Sequence, residues 1–430
     1  MKDEIFSFLS PVTGLPEGET PFTDFKSYMD FVRDDLPLNV GMLIGNGTVR
    51  SAVTGYRPGI LSDEEMSRVH RYISEALDAG AFGVSIGLQY APEYNYDQKE
   101  LIRALGPMSE FDAPLCTHTR GDGDELFESL REVIEVSKSL GVQLQVSHFK
   151  NMGRKNWGER TSAALKVLDD ARREGLDVNT DVYPYTYGST QLIQIMPTYI
   201  LDGGFEAAAK RLADPTVRRG LEVLFRDGAP GFQNMVGLLG WENFYLTSFA
   251  SEENKRYTGL SVPEIAKMRG CDPLECVCDL LAEEGCRIGM VDYLASEEDV
   301  RTIMKYVHSF FISDSTYPTT GLPHPRVYGN FARVLATYVR DEKILDLSTA
   351  VRKMTGMPAE VFGVRNKGFI KEGYDADLCL FDLSNVSTEA TPSNPSVCAT
   401  GFDLVFVGGE PAVENDRLTG LRKGRKLYRK

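Results

Sequence analysis

The stretch PLCTHTRGDGDELFESLREVIEVSKSLGVQLQVSHFK, residues 114–150, decides the fold. Two apolar runs, Pro114 to Arg120 and Val142 to Lys150, each carry a histidine near their polar end, and an amphipathic segment from Asp124 to Leu140 joins them. Apolar runs linked by a helical period predict a parallel sheet, because a parallel neighbour is reached only through a long crossover. The pattern continues outward. Upstream lie the runs Leu38 to Gly45 and Ala81 to Leu88 with the helical period Asp63 to Gly80 between them; downstream lie the period Thr161 to Gly175 and the run Leu176 to Tyr183. His148 follows His118 by 30 residues and Asp181 follows His148 by 33, one strand-helix unit each time. The spacing predicts a (β/α)8 TIM-like barrel with polar residues gathered at the C-terminal ends of its strands, the rim where catalytic groups collect.

The rhythm breaks between residues 191 and 308, a stretch longer than one unit with helical patterns around Asp214, Glu264 and Glu298. It reads as an insertion that covers a site. A last strand, Ser309 to Ser315, leads to a helix at Leu345 to Thr355, and from Lys367 a tail rich in Gly, Asp and Val has the character of a small β-sandwich portion. The expected organisation is a barrel over residues 1–365, interrupted by 191–308, and a small β-domain over 366–430. Only about six barrel strands are legible where a closed barrel has about eight, so the first strands are expected to be missing.

Charge and composition narrow the function. The chain has 430 residues with 47 basic and 62 acidic side chains, a net charge of −15, which disfavours phosphate backbones and anionic lipid surfaces as partners. The start MKDEIFSF has no basic, apolar and small-residue order of a secretory signal, and no run is long and apolar enough to span a membrane. Seven cysteines, with Cys271, Cys276 and Cys278 in a helical stretch, point to a reducing cytoplasm rather than a disulfide framework.

His118 and His148 both end apolar strands in a chain with only 5 histidines. Neutral imidazoles on adjacent strand ends can share one zinc ion, although two histidines hydrogen-bonded in a barrel mouth would leave the same trace. Asp314, in FFISDST, ends the last strand and faces the same rim, where a carboxylate can take a proton from an attacking water. A helix N-cap is its structural alternative.

Several motifs together resemble the D-aminoacylases, the N-acyl-D-amino acid deacylases of the amidohydrolase superfamily. They are AGAFGVSIGLQY ending at Tyr90, THTR at 117–120, SHFK at 147–150, NWG at 156–158, DVYPY at 181–185, HPRVYGNF at 324–331, AVRKMTGMPA at 350–359 and GYDADL at 373–378. The resemblance runs in this order from about Thr23 to the C-terminus. It implies hydrolysis of the amide of a small-molecule N-acyl-D-amino acid, with His118 and His148 holding zinc and Asp314 as the catalytic acid-base. It further implies that Lys150 and Arg326 hold the substrate carboxylate, with Tyr90, Tyr185 and Ser189 adding hydroxyl contacts and Tyr183 an equal alternative to Tyr185. A planar guanidinium suits a two-pronged grip on a carboxylate. A surface ion pair is the alternative role for Lys150 and Arg326.

The chain also departs from that family. It contains no His-x-His and no Asn-Cys-Gly, which in the family precede THTR and supply further metal ligands, and no cysteine precedes Cys116. Asn46 stands in GNGT where the family has GHGT. Cys116, two residues before His118, is an alternative thiolate, although neighbours on one strand face are about 6.5 to 7 Å apart. The competing expectation is an inactive or incomplete barrel, through a late start or a split enzyme needing a separate N-terminal segment. A homo-oligomer is equally open.

Overall fold

The computed structural model describes residues 22–318 and 320–429; the N-terminal stretch read above for a secretory signal lies outside them. Five parallel strands come first in the chain: β1 (Ile44–Gly45), β2 (Val84–Gly87), β3 (Leu115–His118), β4 (Leu144–Val146) and β5 (Val178–Val182). The 191–308 region contributes a separate antiparallel sheet of β6 (Tyr187–Gln191), β7 (Phe244–Ser248) and β8 (Gly289–Tyr293), in the order β6-β8-β7. The chain then returns as β9 (Ser309–Phe311), which pairs with β5 and completes a six-stranded parallel sheet in the order β1-β2-β3-β4-β5-β9. Helices cover this sheet in barrel fashion. Among the described residues no strand joins β9 back to β1.

Local chemistry explains the elements that hold the rim in place. The helix Asp63–Asp78 starts in a capping box between Ser62 and Glu65 and buries Met66, Val69, Ile73, Ala76 and Leu77, one face at helical spacing. The helix Leu126–Leu140 buries Leu130, Val133 and Val136 against the sheet and ends at Gly141, whose φ of 68° a Cβ would oppose. Burying one such aliphatic side chain stabilises by roughly 1.5–3 kcal/mol. The run Leu38 to Gly45 pairs with β2 only at its end, because its earlier part is drawn to the C-terminus, with bridges Leu36 to Gly424 and Val40 to Lys426.

Among the described residues three hydrophobic clusters result: one inside the barrel layer, one within the 191–308 region around Leu192, Leu212, Phe244, Leu280 and Met290, and a small one of Ala332, Leu335, Ala336 and Val386. The small β portion at the C-terminus is an antiparallel sheet of β10 (Leu378–Phe381), β11 (Phe402–Val407), β12 (Glu410–Glu414) and β13 (Arg417–Leu418). Beside it runs an apolar groove of about 1250 Å³, bounded by Leu43 and Phe82, by Val351 and Met354, and by Phe369 and Phe381.

Candidate metal centre and substrate pocket

A second, more polar cavity of about 230 Å³ opens at the C-terminal ends of the parallel strands, and it rather than the larger groove gathers the titratable groups. His118 ends β3 and His148 lies two residues past the end of β4, so the adjacency of these strands brings the two rings to 4.6 Å between centroids. His118 Nδ1 and His148 Nε2 are 2.9 Å apart. Lys150 donates to His148 Nδ1 at 2.9 Å, and His118 Nε2 faces Gln89 Oε1 at 2.7 Å. Because an ammonium can only donate and a carbonyl oxygen can only accept, these contacts set one tautomer chain: His148 donates to His118, and His118 donates to Gln89.

Burial pushes both imidazoles down to about 3, with the neighbouring His148 and Lys150 adding to the effect on His118 and Lys150 on His148. Both rings are therefore neutral across the physiological range. Asp122 completes the group: ligand atoms of His118, Asp122 and His148 all lie within 4.8 Å of one another. Burial alone would raise the Asp122 carboxyl, but Lys150, paired with it at 2.7 Å, and the two histidines hold it well below the usual carboxylate range. Two neutral imidazoles and an ionised carboxylate are a donor set that fits a divalent metal.

His148 sits at φ 40° and Asp314 at φ 47°, left-handed conformations that L residues adopt at a cost and that surrounding contacts must enforce. For His148 the enforcing contact is the Asp181 carboxylate, which accepts its backbone N–H and also the side-chain amide of Gln145. Burial raises that carboxyl to about 7. Asp314 borders the cavity beyond β9 and pairs with Arg326 Nη1 at 2.8 Å. Arg326 is 2% exposed and lies over the Tyr183 ring, 4.6 Å from its centroid.

Of the residues singled out from the sequence, Tyr90, His118, His148, Lys150, Ser189, Asp314 and Arg326 all border this cavity. Tyr183 borders it too, whereas Tyr185 turns away, packing its ring 5.1 Å from His324 and beneath Arg333. Alternate residues of an extended chain point to opposite sides, but the turn after β5 hides which tyrosine faces in. Cys116 is buried, its thiol is pushed up by desolvation, and it stands outside the His118–Asp122–His148 group. Asn46 does not border the cavity; it is fully buried and donates to Glu93 at 2.8 Å. Asp122 and Gln89 escaped notice because they lie in loops after β3 and β2, where strand periodicity gives no direction.

The sequence profile of the amidohydrolase family matches residues 2–413. The chain belongs to this family. Among curated amidohydrolase relatives, D-aminoacylase of Alcaligenes xylosoxydans xylosoxydans is 30% identical over 98% of this chain and 77% of its own length. N-acyl-D-glutamate deacylase of the same organism is 31% identical over 91% of this chain and 70% of its own. The solved N-acyl-D-glutamate deacylase of Bordetella bronchiseptica, complexed with zinc and a phosphonate mimic of the tetrahedral intermediate, superposes with a TM-score of 0.79 at 26% identity, over 100% of this chain and 79% of that one. Among the described residues of this amidohydrolase no helix is long and apolar enough to cross a membrane.

Proposed function

We propose that the protein hydrolyses the amide bond of N-acyl-D-amino acids, releasing a carboxylate and a free D-amino acid, with zinc held by His118, His148 and Asp122. The observation that carries this reading is the convergence of His118, His148, Asp314 and Arg326 on one cavity. When bound, zinc supplies Lewis acidity, polarising the amide carbonyl and lowering the pKa of the attacking water. Asp314 takes the proton of that water and returns it to the departing amine nitrogen. Arg326 and Lys150 hold the α-carboxylate, Arg326 through its planar fork.

The ion pair between Arg326 and Asp314 gives substrate binding a second effect. A substrate carboxylate competes for the guanidinium and so releases Asp314 as a proton acceptor. Tyr90, Tyr183 and Ser189 add hydroxyl groups to the wall. Seven free thiols fit a reducing compartment, and on that basis we place the enzyme in the cytoplasm.

The test is release of the free amino acid from N-acetyl-D- and N-acetyl-L-amino acids by the zinc-loaded protein. Turnover of at least one D compound over its L isomer supports the reading; turnover of L compounds alone, or of none, overturns it. A second reading, an inactive or incomplete barrel, is favoured by the six-stranded sheet open between β9 and β1 among the described residues. It predicts a folded protein with no turnover at any zinc concentration.

A further inference from the structure

The β6-β8 pair brings one more charge to the cavity than the proposed chemistry uses. Asp292, on β8, is 2% exposed and borders the same cavity as Lys150, Asp314 and Arg326. Its register partner on β6 is Gly188, and a Cβ built there would lie 2.9 Å from Asp292 Oδ1 and 3.4 Å from the Tyr183 hydroxyl. The carboxylate therefore lies across the one strand position whose lack of a side chain makes room for it.

The other acids discussed in the cavity have cations of their own. Lys150 pairs with Asp122 at 2.7 Å and Arg326 with Asp314 at 2.8 Å. Among the described residues no lysine, arginine or histidine lies within ion-pairing distance of Asp292, although Lys150 and Arg326 are near enough to be felt. Burial raises the Asp292 carboxyl to about 6, against the pull of those two cations. A carboxylate desolvated without a counter-charge costs stability, and a ligand that brings the missing charge removes that cost.

We propose that Asp292 sets the side-chain specificity of the pocket by receiving an amino or guanidino group, so that the substrate class is N-acyl-D-amino acids with cationic side chains. This rests on the deacylase reading, in which the α-carboxylate is held at Arg326 and Lys150. A neutral side chain leaves Asp292 unpaired, and an acidic one sets a second carboxylate against it. A site built around a charged partner rejects the analogue lacking it far more strongly than an apolar pocket rejects a missing methylene.

Calorimetric titration of the zinc-loaded protein with N-acetyl-D-lysine, N-acetyl-D-norleucine and N-acetyl-D-glutamate tests this, since norleucine is lysine without its amino group. The lysine compound is expected to bind about 10- to 100-fold more tightly than the norleucine compound, a gap typical of one charge-assisted contact. In Asp292→Asn, checked for folding by circular dichroism, the gap is expected to close. Equal affinities, tighter binding of norleucine or glutamate, binding of none, or an unchanged gap in the variant overturns the proposal. If the variant does not fold, the wild-type comparison alone decides. Turnover of neutral D compounds without a lysine preference would leave the deacylase reading standing and sink this one. A lysine preference in binding with no turnover of any D compound would do the reverse.

Discussion

Asp314 combines a left-handed backbone, φ 47°, with a carboxylate already engaged by Arg326, and both features are ones the proposed acid-base role would use. A cap has no need of strained φ, whereas a group held at a fixed angle over a cavity does. Asp314→Asn keeps the volume and loses the proton acceptor, so kcat is expected to fall by about 10²- to 10⁴-fold with an unchanged circular dichroism spectrum. Wild-type turnover in that variant would remove Asp314 from the chemistry. Arg326→Lys replaces the fork with a point charge and loses the stacking on Tyr183, so KM for an acyl-amino acid should rise about tenfold while the protein stays folded. An unchanged KM would place Arg326 outside the carboxylate grip. Glu93 allows a pH test away from the metal centre. Burial raises it from an ordinary 4.5 to about 7, against hydrogen bonds from Asn46 and the Gly87 amide. The folded state thus keeps a proton that the unfolded chain gives up earlier. The stability this provides is complete below about pH 4.5 and is lost as pH rises through about 7. Between pH 5 and pH 8 the wild type should lose on the order of 2–3 kcal/mol relative to Glu93→Gln, read from urea midpoints. Parallel pH profiles for the two proteins would show that Glu93 is not titrating in this range.

At the scale of elements, the strands bearing His118 and His148 were legible because each is a short apolar run followed by a helical period. The helix Asp63–Asp78 was legible from Ser62, Glu65 and its apolar spacing. Strand ends were read too long, since the polar rim residues after Val146 and Val182 leave the ladder to reach the cavity. The pairing of β6 with β8 was not legible. It joins residues on either side of the second core, and no local pattern reveals that Gly188 faces Asp292. That juxtaposition gives the element-scale prediction. In Gly188→Ala the new methyl would meet Asp292 Oδ1 at 2.9 Å and Leu294 Cδ2 at 3.0 Å, so the Asp292 side chain must shift. Overpacking of this kind costs about 1–3 kcal/mol. Urea unfolding should show that loss together with a lower kcat/KM, because the displaced groups border the pocket. A variant as stable and as active as wild type would mean that the β6-β8 register is wrong.

For the whole molecule, the metal group is a junction between parts that fold around different cores. His118 and His148 hang from β3 and β4, while the loop carrying Asp122 is tied to the 191–308 region through Gln233, whose Oε1 accepts the Asp122 amide at 2.7 Å. Nearby, the Gly153 amide and the Trp157 indole both donate to the Leu294 carbonyl. His118, His148 and Asp122, were they to hold an ion, would therefore gain a further link between the barrel layer and the covering region, and the binding energy would become folding energy. Zinc at a hundredfold excess over its Kd is expected to add about 2.7 kcal/mol to the unfolding free energy, visible as a higher Tm than in chelator-treated protein. His118→Ala and His148→Ala should each lose that increment. Cys116→Ala should keep it, with zinc content equal to wild type, because the thiol lies outside the group and burial keeps it protonated. Loss of zinc in Cys116→Ala would reinstate the thiolate as a ligand. A Tm indifferent to both chelator and zinc would mean that these three residues do not suffice to hold the ion, and that the cavity's paired charges, Lys150 with Asp122 and Arg326 with Asp314, are its resting and final state.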